Sequence, residues 1–197
     1  MSPITHGLMG WLIGESARLD RRGRAVVTIA GVIPDVDGFG LPVELLTRHS
    51  ERPLLWWADF HHVLGHNLAF ALVVALGAWA WTRRPLVAAL ALLSFHLHLF
   101  CDLIGGRGPD GHHYPIQYWW PFGDGAGWTW SGQWELNAWP NFVVTGLALI
   151  ATIVLALRRG RTPIEIVSLR ADAAVVAVLR RRLGRCPTSS VDTRSDT

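Results

Sequence analysis

The chain has 197 residues, of which half are hydrophobic and only 17% charged, with a formal net charge of +3. A water-soluble domain usually carries about 25% charged residues, so this composition disfavours a soluble globule and suits one membrane-embedded domain. All 18 basic residues are Arg, and two Cys exclude a disulfide framework and a thiolate-rich metal site.

Five apolar segments come in order. Ile4 to Ala17 and Ala25 to Pro34 fall short of the roughly 17 to 25 residues needed to cross hydrocarbon. They read as buried core helices, tilted half-spans or a re-entrant pair. The first basic side chain is Arg18, so no secretory leader is expected. His6 opens the first segment, and Pro34-Asp35-Val36-Asp37-Gly38 closes the second. Pro34 is expected to break the helix, leaving both carboxylates at its end. An Asp-x-Asp pair there suits a bridging ligand, or a ligand plus a base, although Asp-Gly also marks ordinary turns. Residues 38–60 then read as a connecting loop containing His49, Trp56 and Trp57.

The third segment, Asn67 to Trp81, is preceded by His61-His62-Val63-Leu64-Gly65-His66. A helix already covering residue 62 would place His62 and His66 on one face, whereas a later start would let His61 swing in from the loop. Spacing alone favours His62 with His66. The fourth segment, Pro85 to Ile104, carries His96, His98 and Asp102. His98 and Asp102 stand one turn apart on the same face, while His96 lies about 200° away and should meet another helix. An ionised Asp at membrane depth costs roughly 2.5 to 3.5 kcal/mol, so Asp102 needs a partner: a shared metal ion, or His98 alone in a packed pair.

Residues 105–139 form a second long connection with six of the eleven Trp: Trp119, Trp120, Trp128, Trp130, Trp134 and Trp139. Trp favours the headgroup level, so this loop reads as an interfacial lid or as a belt that sets depth. Its His112 and His113, like His49, read as surface residues. Phe142 to Leu157 is the fifth apolar segment. From Arg158 to Thr197 nine Arg face only Glu165, Asp172, Asp192 and Asp196. Within this stretch 161–185 is expected to form a basic amphipathic helix lying on a membrane surface, and 186–197 a disordered tail.

The fold class expected is therefore all-α: a membrane-embedded bundle over 1–160 with two short and three near-spanning segments, plus the amphipathic helix. Arginines cluster at Arg18 to Arg24, Arg83 and Arg84, and Arg158 to Arg161, which the positive-inside rule makes cytoplasmic. Threading the chain then brings His6, Asp35, Asp37, His61, His62, His66, His98 and Asp102 to the same, outer end of a multi-pass protein of the plasma membrane. Imidazole with carboxylate suits Zn2+ first, with Mn or Fe also compatible, as one or two ions. A water activated by that ion would attack an ester or phosphoester of a lipid or lipid-linked substrate. Membrane lipids are the expected partners; nucleic acid is not, because a basic tail without an aromatic platform lacks the means of base recognition. The rival functions are an ion or proton transporter using the same His and Asp, and a scaffold stabilised by its metal. No serine elbow, phosphate-cradling Gly loop or His-Glu-x-x-His occurs, which removes serine hydrolase, nucleotidase and zincin readings.

Thr5-His6-Gly7, Pro34-Asp35-Val36-Asp37, His61 through Asn67, His98-x-x-x-Asp102 and Trp120-Pro121-Phe122 resemble, in order and spacing, the YdjM-like family of bacterial inner-membrane proteins, classed as metal-dependent hydrolases. The likeness covers roughly residues 4 to 123. The family pattern in the third block is His-Arg-Gly-x-Thr-His-Ser; His61 and His66 match it, while His62, Val63, Gly65 and Asn67 depart from it. The resemblance thus implies His6, Asp35, His61, His66, His98 and Asp102 as ligands, with Asp37 bridging ions or acting as base beside Asp35. It favours His61 where spacing favours His62. A more distant likeness, carried by His98 and Asp102 alone, is to zinc-dependent phospholipase C.

Overall fold

The structure, a computed structural model, describes residues 1–108, 111–123 and 127–183. Among the described residues eight α-helices make up the bundle: α1 (Pro3–Ser16), α2 (Arg21–Val32), α3 (Gly40–Thr47), α4 (Trp56–Phe60), α5 (Leu68–Thr82), α6 (Pro85–Gly105), α7 (Trp139–Arg159) and α8 (Leu169–Leu183), with 3-10 turns at Ile33–Phe39 and Pro163–Ile166. Among the described residues the only β pairing consists of two isolated bridges, both in the 105–139 connection. The fold is all-α, as the periodicity predicts.

Polar caps set the helix starts. Ser2 caps α1 ahead of Pro3, Asp20 accepts the Gly23 amide at 3.0 Å to open α2, and Asn67 accepts the Phe70 amide at 2.8 Å to open α5. α2 lies at the centre, between α1 and α6, while α5 packs on α6 and α7 on α1. The core between α2, α5 and α6 is Leu19, Val26, Val27, Ala30, Ala78, Val87 and Ala91, and a second cluster of Ala71, Phe95, Leu99 and Ile116 ties the 105–139 connection to α5 and α6. Close approach of α2 to α1 and α6 depends on Gly31, where a Cβ would stand 2.5 Å from Ser94 Oγ and 3.3 Å from the His6 carbonyl oxygen.

Large apolar side chains also face outward, among them Leu72, Leu76, Leu93, Phe100, Phe142, Leu147 and Ile150. An outward apolar face of this extent belongs in lipid, and three helical stretches are long and apolar enough to cross it: Arg21–Thr47, α6 and α7. Several sequence expectations change here. The near-spanning assignments of the second and third segments exchange, because α5 has only 15 residues whereas the chain from Arg21 stays helical to Thr47. As expected, the α-helical geometry ends before Pro34, since α2 stops at Val32 and both carboxylates follow it; but the run goes on as a 3-10 turn, in whose first turn the absent N–H of Pro34 costs nothing. Consequently the expected loop 38–60 contains α3 and α4. The C-terminal amphipathic helix is interrupted as well. A 3-10 turn comes first, then α8, held by Thr162 donating its N–H and hydroxyl to Asp172 Oδ1 at 2.7 and 2.6 Å. The 186–197 tail and the last residues of 161–185 lie outside the described residues.

Candidate metal centre

Four elements bring ionisable groups to one end of the bundle. α6 contributes His98 and Asp102, the 3-10 turn contributes Asp35 and Asp37, the loop before α5 contributes His61, His62 and His66, and α1 contributes His6. Asp35, His66, His98 and Asp102 each direct a ligand atom into a common space where all four atoms lie within 4.8 Å of one another. Asp102 Oδ2 stands 3.1 Å from His98 Nε2 and 3.5 Å from His66 Nε2, and Asp35 Oδ1 stands 3.8 Å from His98 Nε2. His66, His98 and Asp102 are buried.

The opposite edges of the two imidazoles fix their tautomers. His66 Nδ1 donates to Asp37 Oδ2 at 2.9 Å, and His98 Nδ1 donates to the Gly31 carbonyl at 2.8 Å. Each ring therefore presents Nε2 to the centre, and these atoms are 3.1 Å apart. Two imidazole lone pairs and two carboxylates so close require a cation between them. For His66, burial alone would lower the imidazole, but hydrogen bonds to Asp102 and Asp37 prevail and push it up to about 9. The site thus draws positive charge, as a proton on His66 or as a metal ion that displaces it. Two nitrogens and two carboxylate oxygens are a donor set suited to Zn2+, Mn2+ or Fe2+. Two buried atoms without hydrogen-bond partners, His6 Nε2 and Asp35 Oδ2, add unused ligand capacity. His6 Nε2 faces Asp102 Oδ1 at 3.3 Å, and the Met1 amino group also contacts that oxygen.

Asp37 stands one layer back. Its Oδ2 accepts the amides of His62 at 3.0 Å and Gly65 at 3.4 Å besides His66 Nδ1, which orients His66 in the manner of carboxylate–histidine–metal triads. The loop that makes this possible is tight, since a Cβ on Gly65 would overlap the Pro34 carbonyl. His61 and His62 are separated by the same loop. His61 stacks on Trp57 at 3.7 Å and faces Asp37 Oδ1, outside the four-atom group. His62 adopts a left-handed backbone (φ 62°), donates Nδ1–H to the Tyr114 carbonyl at 3.1 Å, and points Nε2 at Asp102 Oδ2 from 3.9 Å. Burial, with the charges of His66 and His61, lowers His62 to about 3, so it is a neutral donor toward the centre. It arrives there by a strained turn rather than by helical spacing, because Asn67 starts α5 only at Leu68.

The 105–139 connection closes over the centre, but through residues other than its tryptophans. Gln133 donates to the Asp102 carbonyl at 2.8 Å, the Gln117 amide donates to the His62 carbonyl at 3.1 Å, and the Tyr118 hydroxyl bonds His96 Nε2 at 2.9 Å. His96 therefore serves this connection and not the ion. Trp119, Trp120, Trp128, Trp130 and Trp139 remain exposed. A cavity of about 510 Å3 opens onto Asp35, His61, His62 and Asp102, walled by Phe39, Leu41, Pro42, Trp57, Tyr114, Arg107 and Leu136. Sequence reasoning singled out none of Arg107, Tyr114 or Gln133.

No curated protein and no solved structure matches the chain. A family model does, across residues 1–182, and its description as an inner membrane protein agrees with the outward apolar faces. On that match the chain belongs to the family of the YdjM inner membrane protein.

Proposed function

We propose that the protein is a membrane-bound metal-dependent hydrolase, with Zn2+ as first choice of metal, acting on an ester or phosphoester of a lipid or lipid-linked substrate. The observation that carries this reading is the convergence of His66 Nε2, His98 Nε2, Asp102 and Asp35 within 4.8 Å beside an apolar-walled cavity. An ion held there supplies a Lewis acid that polarises the scissile group and makes a water nucleophilic near neutral pH.

The chain's own residues divide the remaining work. His66, His98 and Asp102 hold the ion, with His6 and His62 in reach to complete its shell. Asp37 and the Gly31 carbonyl keep the His66 and His98 protons on Nδ1. Asp35, which lines the cavity and has a free Oδ2, is placed to take the proton from the attacking water. That proton then goes to the leaving oxygen as the ester bond breaks. Phe39, Leu41 and Trp57 limit water at the reacting group.

Orientation comes from charge. Arg22, Arg24, Arg84 and Arg159 lie at the end of the bundle remote from the cluster, so the positive-inside rule puts them in the cytoplasm and the cavity on the outer side of a multi-pass protein. A transporter would need polar groups continuing inward. Below the cluster the apolar core of Val26, Val27, Ala30, Val87 and Ala91 intervenes before the buried Arg24–Glu165 pair at the far end, which favours hydrolysis. The test is metal analysis of detergent-purified protein beside His98→Ala and His66→Ala variants, with each screened on phosphodiesters and lipid esters. Stoichiometric metal and turnover in the parent, both lost in the variants, is the expected result. Normal metal content in both variants overturns the site, and metal without turnover overturns the enzyme in favour of a metal-stabilised scaffold.

A further inference from the structure

The cavity over the centre combines an apolar wall with a single guanidinium. Phe39, Leu41, Pro42 and Leu136 are in its wall, and Arg107 belongs to the same lining. Arg107 is firmly placed at its backbone: its N–H donates to the Trp134 carbonyl at 3.2 Å and its carbonyl accepts the Leu136 amide at 2.8 Å. Its side chain is under-used. Nε is buried with no hydrogen-bond partner, and Nη2 stands 3.6 Å from Glu135 Oε1, beyond a good hydrogen bond. A buried donor without an acceptor is costly, and a ligand oxygen would remove that cost.

The mouth of the cavity is as informative as its interior. Phe39 is 73% exposed, and along α3 the side chains of Leu45 and Leu46 continue the apolar surface outward. A volume of about 510 Å3 accommodates a headgroup and the start of a chain, and the rest of that chain would run along α3 into lipid. The ligand class must therefore be apolar at one end and anionic at the other. Phosphate meets the second requirement better than a neutral ester, because its charged oxygens are stronger acceptors for the Arg107 Nε–H that has no hydrogen-bond partner. Its tetrahedral oxygens can address the guanidinium fork on one side and the centre at Asp35 and Asp102 on the other.

We infer that the substrate is a phosphate-bearing amphiphile, with Arg107 holding the phosphate and Phe39, Leu41, Pro42 and Leu136 holding its chain. The cleavage of such a molecule rests on the hydrolase reading, whereas its binding can be measured apart from turnover.

Hexylphosphonate has the required head and chain and no ester to cleave, while methylphosphonate and 1-hexanol carry one part each. Calorimetric titration of the full-length, metal-loaded protein should show hexylphosphonate binding about tenfold or more tightly than either part alone. Arg107→Gln should weaken hexylphosphonate about tenfold with metal content unchanged, and Arg107→Lys should recover part of the loss. Phe39→Ser should lower affinity for hexylphosphonate and leave methylphosphonate as it was. Equal hexylphosphonate affinity in the parent and Arg107→Gln, or 1-hexanol binding as tightly as hexylphosphonate, overturns the inference. Should Arg107→Gln lose its metal through misfolding, Arg107→Lys decides: parent affinity overturns the inference and a weakened one supports it. Arg107-dependent binding without any hydrolysis would defeat the enzyme and leave this assignment standing.

Discussion

The two ends of the bundle bury charge in opposite ways. At the end remote from the cavity, Arg24 is clasped by Glu165, with Nη2 2.7 Å from Oε2, and lies 3.3 Å from Glu15, while Arg159 and Arg161 approach Glu15 at 2.9 and 3.3 Å. The positive charge there is covalently built in as guanidinium, which does not lose its proton. At the cavity end Asp35, Asp37 and Asp102 face imidazoles and, at Asp102 Oδ1, the Met1 amino group, and among the described residues no Arg pairs with these three carboxylates. Imidazole gives up its proton to accept an ion, so this end can exchange its cation. One network locks α1 and α2 to the turn before α8; the other is arranged to bind. The contrast predicts that lesions at the first end act on folding, and lesions at the second on metal.

The largest effect should come from Glu165→Ala. It leaves Arg24 buried without its main partner, which should cost about 3 to 5 kcal/mol of stability, read as the unfolding midpoint in detergent. Metal content of the folded fraction should stay at the parent value. Replacing Arg24 and Glu165 together by apolar residues of similar volume should recover most of the loss. A metal-depleted but stable Glu165→Ala protein would contradict the division of labour.

Next is Asp37→Asn. The amide oxygen can still accept His66 Nδ1–H and the His62 amide, so the fold should persist while the charge that orients His66 disappears. Metal affinity should fall about 10- to 100-fold, measured by competition with a chelator. A comparison of His62→Ala with His61→Ala sharpens the same point at smaller scale. His62 points at Asp102, and its loss should weaken metal about tenfold, whereas His61, stacked on Trp57, should matter less. The reverse order would favour the register that the family pattern implies.

How far the sequence leads depends on whether a relation is local. His98 and Asp102 were legible because four residues on one helix fix a common face. The agreement of four segments on one end was legible from arginine placement, and the contacts Thr5 to Thr145, between the starts of α1 and α7, and Arg22 to Trp81, between the start of α2 and the end of α5, agree with that threading. His62 was reached for the wrong reason, since its approach depends on a left-handed turn that no periodicity announces. Pro34 carried an ambiguous signal: a proline ends a helix or opens the next turn, and here it opens a 3-10 turn that directly follows α2. Arg107, Tyr114 and Gln133 were invisible because their positions arise from the irregular 105–139 connection, in which neither a period of 2 nor one of 3.6 operates.

The smallest effect belongs to a charge pair at the remote end that is not buried. Arg84 Nη1 and Asp20 Oδ1 are 3.0 Å apart, but their side chains are 46% and 62% exposed. Water screens both groups, and holding two side chains in one geometry costs entropy, so Arg84→Ala should change stability by less than about 1 kcal/mol. Asp20 also caps α2 through the Gly23 amide, so Asp20→Ala should exceed Arg84→Ala by the value of a helix cap, about 1 kcal/mol. Measured together in one detergent, the two variants separate proximity from burial as the source of strength at this end. An Arg84→Ala loss rivalling Glu165→Ala would mean that the exposed pair, and not the buried clasp, locks the helices together.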